Sequence, residues 1–229
     1  MRVLGWPVLA CLLCAGVASA APAEPFDERC ENDPPRAVIQ VTVKAEPPVV
    51  SHDRPLAQMD HGEADAALAP EVAYSRAQTT WEGRVGVNGF KRDDGTVCAR
   101  ASMRIDLTLT TTIVIAREVF ETPCIKELAL AHELEHARIS EGNLKAAADQ
   151  LEQELREAYA SRQLRGREAD LLQDLNREVD ERWKPRLWAL VDEGDVRHRA
   201  LDDRDKQNAR SACAGALTRL LARRHDVKR

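Results

Sequence analysis

Apolar and polar side chains alternate along the middle of the chain. Apolar residues occupy every second position, and the residues between them are mostly polar: Val97, Ala99, Ala101, Met103, Ile105, Leu107 and Leu109. A period of two is typical of a strand with one buried face. A second apolar run, residues 113–120, follows three threonines, so we predict a hairpin that turns at Thr111. Upstream, residues 37–43 are predicted as a strand and residues 74–87 as a pair of strands around Trp81.

From Thr122 onward the period changes to three and four residues, which is typical of amphipathic helices. Thr122 is a suitable N-cap, and Pro123 fits the first helical position. One stripe comprises Ala137, Leu144, Ala148, Leu151, Leu155 and Ala158; a second, after Gly166, comprises Leu172, Leu175, Val179, Trp183, Leu187 and Leu190. Pro185 is expected to kink the second helix. The pattern predicts an α+β fold, with a small antiparallel sheet followed by a long C-terminal helical hairpin.

The first twenty residues have the pattern of a secretory signal. Arg2 supplies a positive charge, residues 3–17 are apolar, and Ala18-Ser19-Ala20 carries small residues where signal peptidase requires them. Cleavage near Ala20 would leave a single domain over 21–229, mainly β to residue 121 and mainly α from 122. No later apolar run is long enough to span a bilayer. We therefore expect an exported protein, periplasmic or secreted, without an integral membrane segment.

The charge distribution argues against a nucleic-acid partner. The 33 basic and 38 acidic residues give a formal net charge of −5. They are mixed along the chain, and no basic stripe with interleaved aromatic residues is present. A peptide or protein substrate is the expected partner instead.

Four cysteines remain once the predicted signal is removed: Cys30, Cys98, Cys124 and Cys213. An even number in an exported chain predicts two disulfides, for which three pairings are available. A hairpin that turns at Thr111 would place residue 98 opposite residue 124. This register predicts a Cys98–Cys124 bridge, and Cys30–Cys213 then follows by elimination.

A metal-binding motif lies at the start of the helical half. Residues 132–136 read His-Glu-Leu-Glu-His, which is the H-E-x-x-H pattern of zinc metallopeptidases. Four residues are about one helical turn, so both imidazoles project from one face and can bind the same ion. His132 and His136 are therefore predicted zinc ligands. Glu133 is the predicted general base, which accepts a proton from a water held at the ion.

A catalytic zinc site needs a third protein ligand. Glutamates further along the helix have the sequence separation usual for that ligand: Glu152, Glu154 and Glu157. In a continuous helix, however, Glu157 lies about 31 Å from His136, at 1.5 Å per residue. A helical hairpin that turns near Gly166 instead returns residues 198–202 to the level of the motif. His198 and Asp202 are the candidates at that height, and the glutamates would require a chain turn at Gly142.

Several segments together resemble a known family. Residues 97–99, 114–118 and 132–136, with Cys124 and the upstream Tyr74–Trp81, are similar to an exported bacterial family of unknown function described as zinc-dependent proteases. The resemblance covers residues 50–215. It implies a zincin-like lobe with His132 and His136 on the metal and Glu133 as base. The charged Glu135 departs from the stricter zincin pattern, in which the inner positions are uncharged.

These observations predict a zinc-dependent peptidase of the bacterial envelope or exterior. Two alternatives stay open. One is a non-enzymatic or degenerate envelope protein that uses the helical hairpin as a binding surface. The other is a zinc amidase that acts on cell-wall peptides through the same metal chemistry.

Overall fold

The computed structural model describes residues 25–32, 34–59, 72–213, 215, 216, 218–220 and 222. The predicted signal sequence and its cleavage point lie outside these residues. The described chain has a five-stranded sheet and several long helices, which confirms the mixed α+β class. None of the described helices is both long enough and apolar enough to cross a membrane.

Two long strands form the centre of the sheet. Strand β3 (Ala73–Lys91) pairs antiparallel along its whole length with β4 (Thr96–Ile115). The turn between them contains Asp94 and Gly95, and Gly95 adopts φ 83°, a conformation that glycine tolerates best. The Asp94 Oδ1 accepts a hydrogen bond of 2.8 Å from the Thr96 backbone amide. This turn, rather than one at Thr111, creates the hairpin.

Three shorter strands follow one another along the second edge of β4. Strand β5 (Leu164–Arg167) pairs antiparallel with residues 96–99. Strands β1 (Val38–Ala45) and β2 (Val49–Ser51) pair with residues 102–109 and 112–114, and both run parallel to β4. The predicted purely antiparallel sheet was therefore wrong. Only strands joined by a tight turn must be antiparallel, and the long connection from β2 through β3 to β4 permits parallel pairing.

The predicted hairpin at Thr111 was wrong for a local physical reason. Residues 110–112 are β-branched threonines, which favour extended backbone and include no residue suited to a turn. Thr111 continues the buried face of β4 and is 4% exposed. Likewise, residues 74–87 form part of one strand instead of a pair. The alternation predicted over 97–109 is confirmed, because all seven apolar residues on that face are buried.

Most of the helices follow strand β4 in the chain. Short helices α1 (Phe26–Asn32) and α2 (Arg117–Phe120) precede α3 (Pro123–Ala160), which is 38 residues long and starts after the predicted N-cap, Thr122. After β5 come α4 (Glu168–Glu178), a π-helical turn (Val179–Trp183) and α5 (Lys184–Asp192). The irregular turn ends two residues before Pro185, where a kink was predicted. Helix α6 (Asp195–Ala212) follows a tight turn.

The main hydrophobic core lies between the sheet and the helices. The second part of α3 places Leu144, Leu151 and Leu155 against the buried face of β4. Leu175, Val179, Trp183, Leu187 and Leu190 of the second predicted stripe are buried in the same cluster. A smaller cluster surrounds Ile115 and Ile125 at the far end of β4. The second cluster fixes the start of α3, where the metal-binding motif lies.

Two disulfides are present, but with a different pairing from the one predicted. They join Cys30 to Cys98 and Cys124 to Cys213. The predicted pairs Cys98–Cys124 and Cys30–Cys213 were wrong because β4 does not fold back at Thr111. Residues 98 and 115 are instead separated by about 55 Å of continuous strand, at about 3.3 Å per residue. Disulfides of this kind are typical of proteins in oxidising compartments.

Candidate metal centre

A close contact sets the path of the last helix. Gly194 lies in the turn between α5 and α6, and a Cβ atom there would come within 2.2 Å of the Asn143 amide nitrogen. Asn143 belongs to α3 and is 6% exposed, so it has little room to move away. Glycine at position 194 therefore allows the turn to lie directly on α3. Helix α6 starts from this point of contact.

Helix α6 then runs antiparallel to the first part of α3. The contacts follow a regular step, in which about four residues forward on α3 correspond to about four residues back on α6. They pair Ser140 with His198, His136 with Asp202, His132 with Asp205 and, through a disulfide, Cys124 with Cys213. One face of each helix thus meets the other along the whole motif. The Cys124–Cys213 disulfide links the two helices at the end furthest from Gly194.

Three ligand atoms converge between the two helices. His136 Nε2 lies 3.0 Å from His132 Nε2 and 2.9 Å from Asp202 Oδ1. The distance from His132 Nε2 to Asp202 Oδ1 is 3.3 Å. All three residues are partly buried, and together they form a group that could hold a metal ion.

The geometry and the donor set both fit a divalent cation. Two imidazole nitrogens and a carboxylate oxygen are characteristic zinc ligands, and ligands at about 2.0–2.1 Å in a tetrahedral site are roughly 3.3 Å apart. The observed separations require an adjustment of only a few tenths of an ångström. Two imidazole nitrogens 3.0 Å apart must also share a proton or a cation, since two lone pairs at that distance repel.

The remaining ring nitrogens of both histidines have partners of their own. His132 Nδ1 lies 2.9 Å from Asp205 Oδ2. His136 Nδ1 lies 2.8 Å from His198 Nδ1, and these two rings stack with an interplanar angle of 14°. Metal-binding histidines usually donate their second N–H to such a partner, which fixes the tautomer and the ring orientation. With His132 Nδ1 and His136 Nδ1 as the donors in these two contacts, each Nε2 presents a lone pair to an ion between the helices.

The electrostatic environment favours the forms that bind a metal. Burial lowers the pKa of His136, the neighbouring His132 lowers it further, and Asp202 opposes this change. Hydrogen bonds from the Arg204 guanidinium and then from His132 lower the pKa of Asp205 to about 2. At neutral pH the result is a neutral His136 and an ionised Asp205, which suits a ligand and its orienting carboxylate.

Glu133, the predicted general base, is not one of the converging ligands. Its side chain is displaced by about 100° around the helix from His132, since each residue of an α-helix advances by that angle. The residue is 5% exposed and lies on the same side of α3 as the buried Ala137. Its position on the helix therefore differs from that of the two histidines.

The structure separates the predicted third-ligand candidates. Asp202 lies in the converging group, whereas His198 contacts His136 through the nitrogen that is not in that group. The glutamates of α3 are far from the motif, because the helix continues without a turn at Gly142. Their contacts lie with other residues: Glu152 accepts from the Val41 amide, Glu154 pairs with Arg186 and Glu157 accepts from Gln153.

Sequence reasoning missed Asp205. It is three residues beyond Asp202, so on a helix the two carboxylates share a face. Counting residues along two antiparallel helices selected 198–202 as level with the motif. The same count reaches residue 205, which lies level with His132 because α6 runs antiparallel to α3.

Comparisons with protein-family models, with curated proteins and with solved structures find no match to this chain. The centre is therefore interpreted from its own geometry.

Proposed function

We propose that the protein is a zinc-dependent peptidase of the bacterial envelope or exterior. The observation that carries the proposal is the convergence of His132 Nε2, His136 Nε2 and Asp202 Oδ1 within 3.3 Å of one another. The H-E-x-x-H glutamate, Glu133, follows the first of these histidines in the sequence. Three protein ligands leave a fourth zinc position for water and substrate, which is the arrangement of catalytic and not structural zinc sites.

The roles of the residues follow from their positions. Zinc, when bound, polarises a peptide carbonyl and lowers the pKa of a water to about 7. His132, His136 and Asp202 would hold the ion, and Asp205 would orient His132 through its Nδ1. Glu133 accepts a proton from the attacking water and passes it to the leaving amine. Asp202 is the most exposed of the three ligands, with 42% of its side chain accessible, so the substrate would approach from that side.

The cellular setting is proposed from two features. The N-terminal pattern of residues 1–20 is that of a secretory signal. Two disulfides are compatible with the oxidising conditions outside the bacterial cytoplasm. We accordingly propose that the mature protein works in the periplasm or is secreted, and that its resemblance to the exported protease family reflects membership.

The decisive experiment separates metal binding from hydrolysis. Purified protein should contain close to one zinc ion per chain by elemental analysis, and its activity on an unstructured protein such as casein should require that zinc. Glu133→Gln should retain the zinc and lose activity by roughly 10²–10⁴-fold, because a positioned general base contributes about that factor. Asp203→Asn, a change of an exposed carboxylate next to Asp202, is the matched control and should leave both properties intact.

Each outcome has a clear reading. Failure to bind zinc, or full peptidase activity in Glu133→Gln, would overturn the proposal. Zinc binding without hydrolysis of proteins or peptides would favour a non-enzymatic envelope protein with a structural metal. Zinc-dependent cleavage of cell-wall peptides, with casein left intact, would favour the amidase.

A further inference from the structure

A second candidate site lies at an interruption of the sheet, far from the metal centre. Along the second edge of β4, strand β5 pairs as far as Ala99 and strand β1 begins to pair at Ser102. Residues 100 and 101 therefore face a gap between two neighbouring strands. A cavity of about 600 Å³ opens there, lined by residues 34–39, Arg100, Arg156 and Ala160.

The cavity is basic. Three guanidinium groups, those of Arg36, Arg100 and Arg156, belong to its lining, and the described residues of the lining include no carboxylate. Arg156 is paired with Glu152. Among the residues that the structure describes, neither Arg36 nor Arg100 has a carboxylate partner within ion-pair distance. Two positive charges in the cavity wall are thus left without a counterion from the described chain.

Arg100 carries the most specific sign of an absent partner. Its Nε donates to the Pro35 carbonyl at 3.3 Å, which fixes the guanidinium plane. Its Nη1 is the one buried side-chain nitrogen or oxygen in the described chain that has no hydrogen-bond partner. A buried donor without an acceptor is costly, and for a charged group the cost is larger still. An acceptor that packs directly against this guanidinium would remove that cost.

We propose that this cavity binds an oxyanion, a carboxylate or a phosphate, carried on a short apolar stem. Guanidinium groups recognise both anions through two parallel hydrogen bonds, and the pair of Nη atoms of Arg100 is the edge not used by Pro35. Apolar lining residues such as Val38, which is 50% exposed, would contact the stem. The volume suits a small organic molecule or the end of a peptide better than a bare ion.

The site is independent of the proposed metal chemistry. Arg156 is 20 residues beyond His136 on the same continuous helix, which corresponds to about 30 Å at 1.5 Å per residue. An anion bound there cannot touch the zinc ligands. A substitution in the cavity therefore tests this inference without disturbing the metal centre.

Calorimetric titration of the mature protein at low salt tests the proposal. The probes are inorganic phosphate, N-acetyl-leucine and its amide, which has the same stem without the charge. We expect saturable binding of at least one of the two anions, weak or no binding of the amide, and weakening as salt is added. Arg100→Met should reduce the anion's affinity by about tenfold or more, since a charge-assisted hydrogen bond contributes at least that factor.

Two further variants make the result specific. Arg36→Ala changes an exposed residue and should also lower the affinity for the anion without affecting folding. Arg104→Met is the matched control, because Arg104 is an exposed arginine on the same face of β4. Within the described part of the chain its side chain donates to Gln40 alone. An equal loss of anion affinity in Arg100→Met and Arg104→Met would overturn the proposal, and so would the absence of saturable anion binding. So would binding that survives Arg100→Met, which would place the anion elsewhere, for instance at the metal centre.

Discussion

Asp205 Oδ2 lies 2.9 Å from His132 Nδ1, the ring nitrogen that does not face His136 Nε2 and Asp202 Oδ1. By accepting from Nδ1, the carboxylate would fix the His132 tautomer that presents Nε2 to a bound ion. Arg204 in turn donates to Asp205 through Nε at 2.9 Å and through Nη2 at 3.3 Å. A chain of three side chains therefore orients one ligand, although only the last of them would touch the metal.

This relationship predicts that Asp205 affects zinc affinity without being a ligand. Asp205→Asn should weaken zinc binding by about 10–100-fold, the usual loss when the orienting partner of a metal-bound histidine is changed. Competition with a chromophoric chelator measures the dissociation constant directly. Asp203→Asn on the same helix should change it by less than about twofold, as expected of an exposed residue outside the cluster.

The two third-ligand candidates should also behave differently. Asp202→Ala removes an atom of the converging group and should weaken zinc binding far more than His198→Ala, which removes only a partner of His136 Nδ1. The spectrum of cobalt-substituted protein distinguishes the cases, because losing a ligand changes the coordination geometry and losing an orienting group does not. A larger spectral change in His198→Ala would show that His198 is the ligand.

Much of the metal centre could be predicted from the sequence, because a helix repeats regularly. The i, i+4 spacing placed His132 and His136 on one face, and counting along two antiparallel helices brought residues near 202 to the same height. The actual return path contains β5, a π-helical turn and the break at Gly194, none of which the count included. The prediction of Asp202 therefore depended on a fold that differs in detail from the one assumed.

The sheet and the disulfides could not be predicted in the same way. The alternating pattern identifies a buried strand face, but it does not mark where a strand ends or which strand lies beside it. Thr111 resembles a hairpin centre only because apolar runs flank it. The real turn at Gly95 left a clearer mark, an Asp-Asp-Gly sequence directly before β4. The single misplaced turn accounts for both wrong disulfide pairings.

The Cys124–Cys213 disulfide should support the metal centre specifically. It joins the start of α3 to the residue after α6, next to the helical segments that carry His132, His136 and Asp202. Replacing both cysteines by serine should lower the free energy of unfolding by about 2–5 kcal/mol, as for other native disulfides, and should also weaken zinc binding. The Cys30→Ser/Cys98→Ser variant is the control, because that disulfide is remote from the metal centre. Its loss should lower the free energy of unfolding without changing zinc affinity. Equal zinc affinity in the two variants would contradict this assignment.

Tyr159 gives a test of the helical core by pH. Its hydroxyl accepts a hydrogen bond from Trp183 Nε1 at 3.2 Å, and burial raises the pKa of Tyr159 to about 12. In the unfolded chain a tyrosine ionises near pH 10. The folded state therefore holds more protons between pH 10 and 12, and stability should fall as pH rises through that window. Ultraviolet titration of Tyr74→Phe, which leaves Tyr159 as the sole tyrosine, should show ionisation near pH 12 in the folded protein and near pH 10 in denaturant.

The last prediction concerns the contact between Gly194 and Asn143. Gly194→Ala would place a Cβ atom 2.2 Å from the Asn143 amide nitrogen, so either Asn143 or the start of α6 must move. We expect a loss of about 1–3 kcal/mol in the free energy of unfolding, which is usual for overpacking, and weaker zinc binding because α6 carries Asp202. Denaturant unfolding and chelator competition measure the two effects separately.

Gly142→Ala is the matched control, because a Cβ atom at Gly142 meets nothing within 4 Å. Alanine there should stabilise α3 by about 0.5–1 kcal/mol, the intrinsic difference between the two residues inside a helix. Adding Asn143→Ala to Gly194→Ala removes the clashing amide and should restore zinc affinity. Gly194→Ala could instead match Gly142→Ala in both unfolding free energy and zinc affinity. The position of α6 would then not depend on this turn. The alignment of Asp202 with His136 would have to be set by the Cys124–Cys213 disulfide at the other end of the two helices.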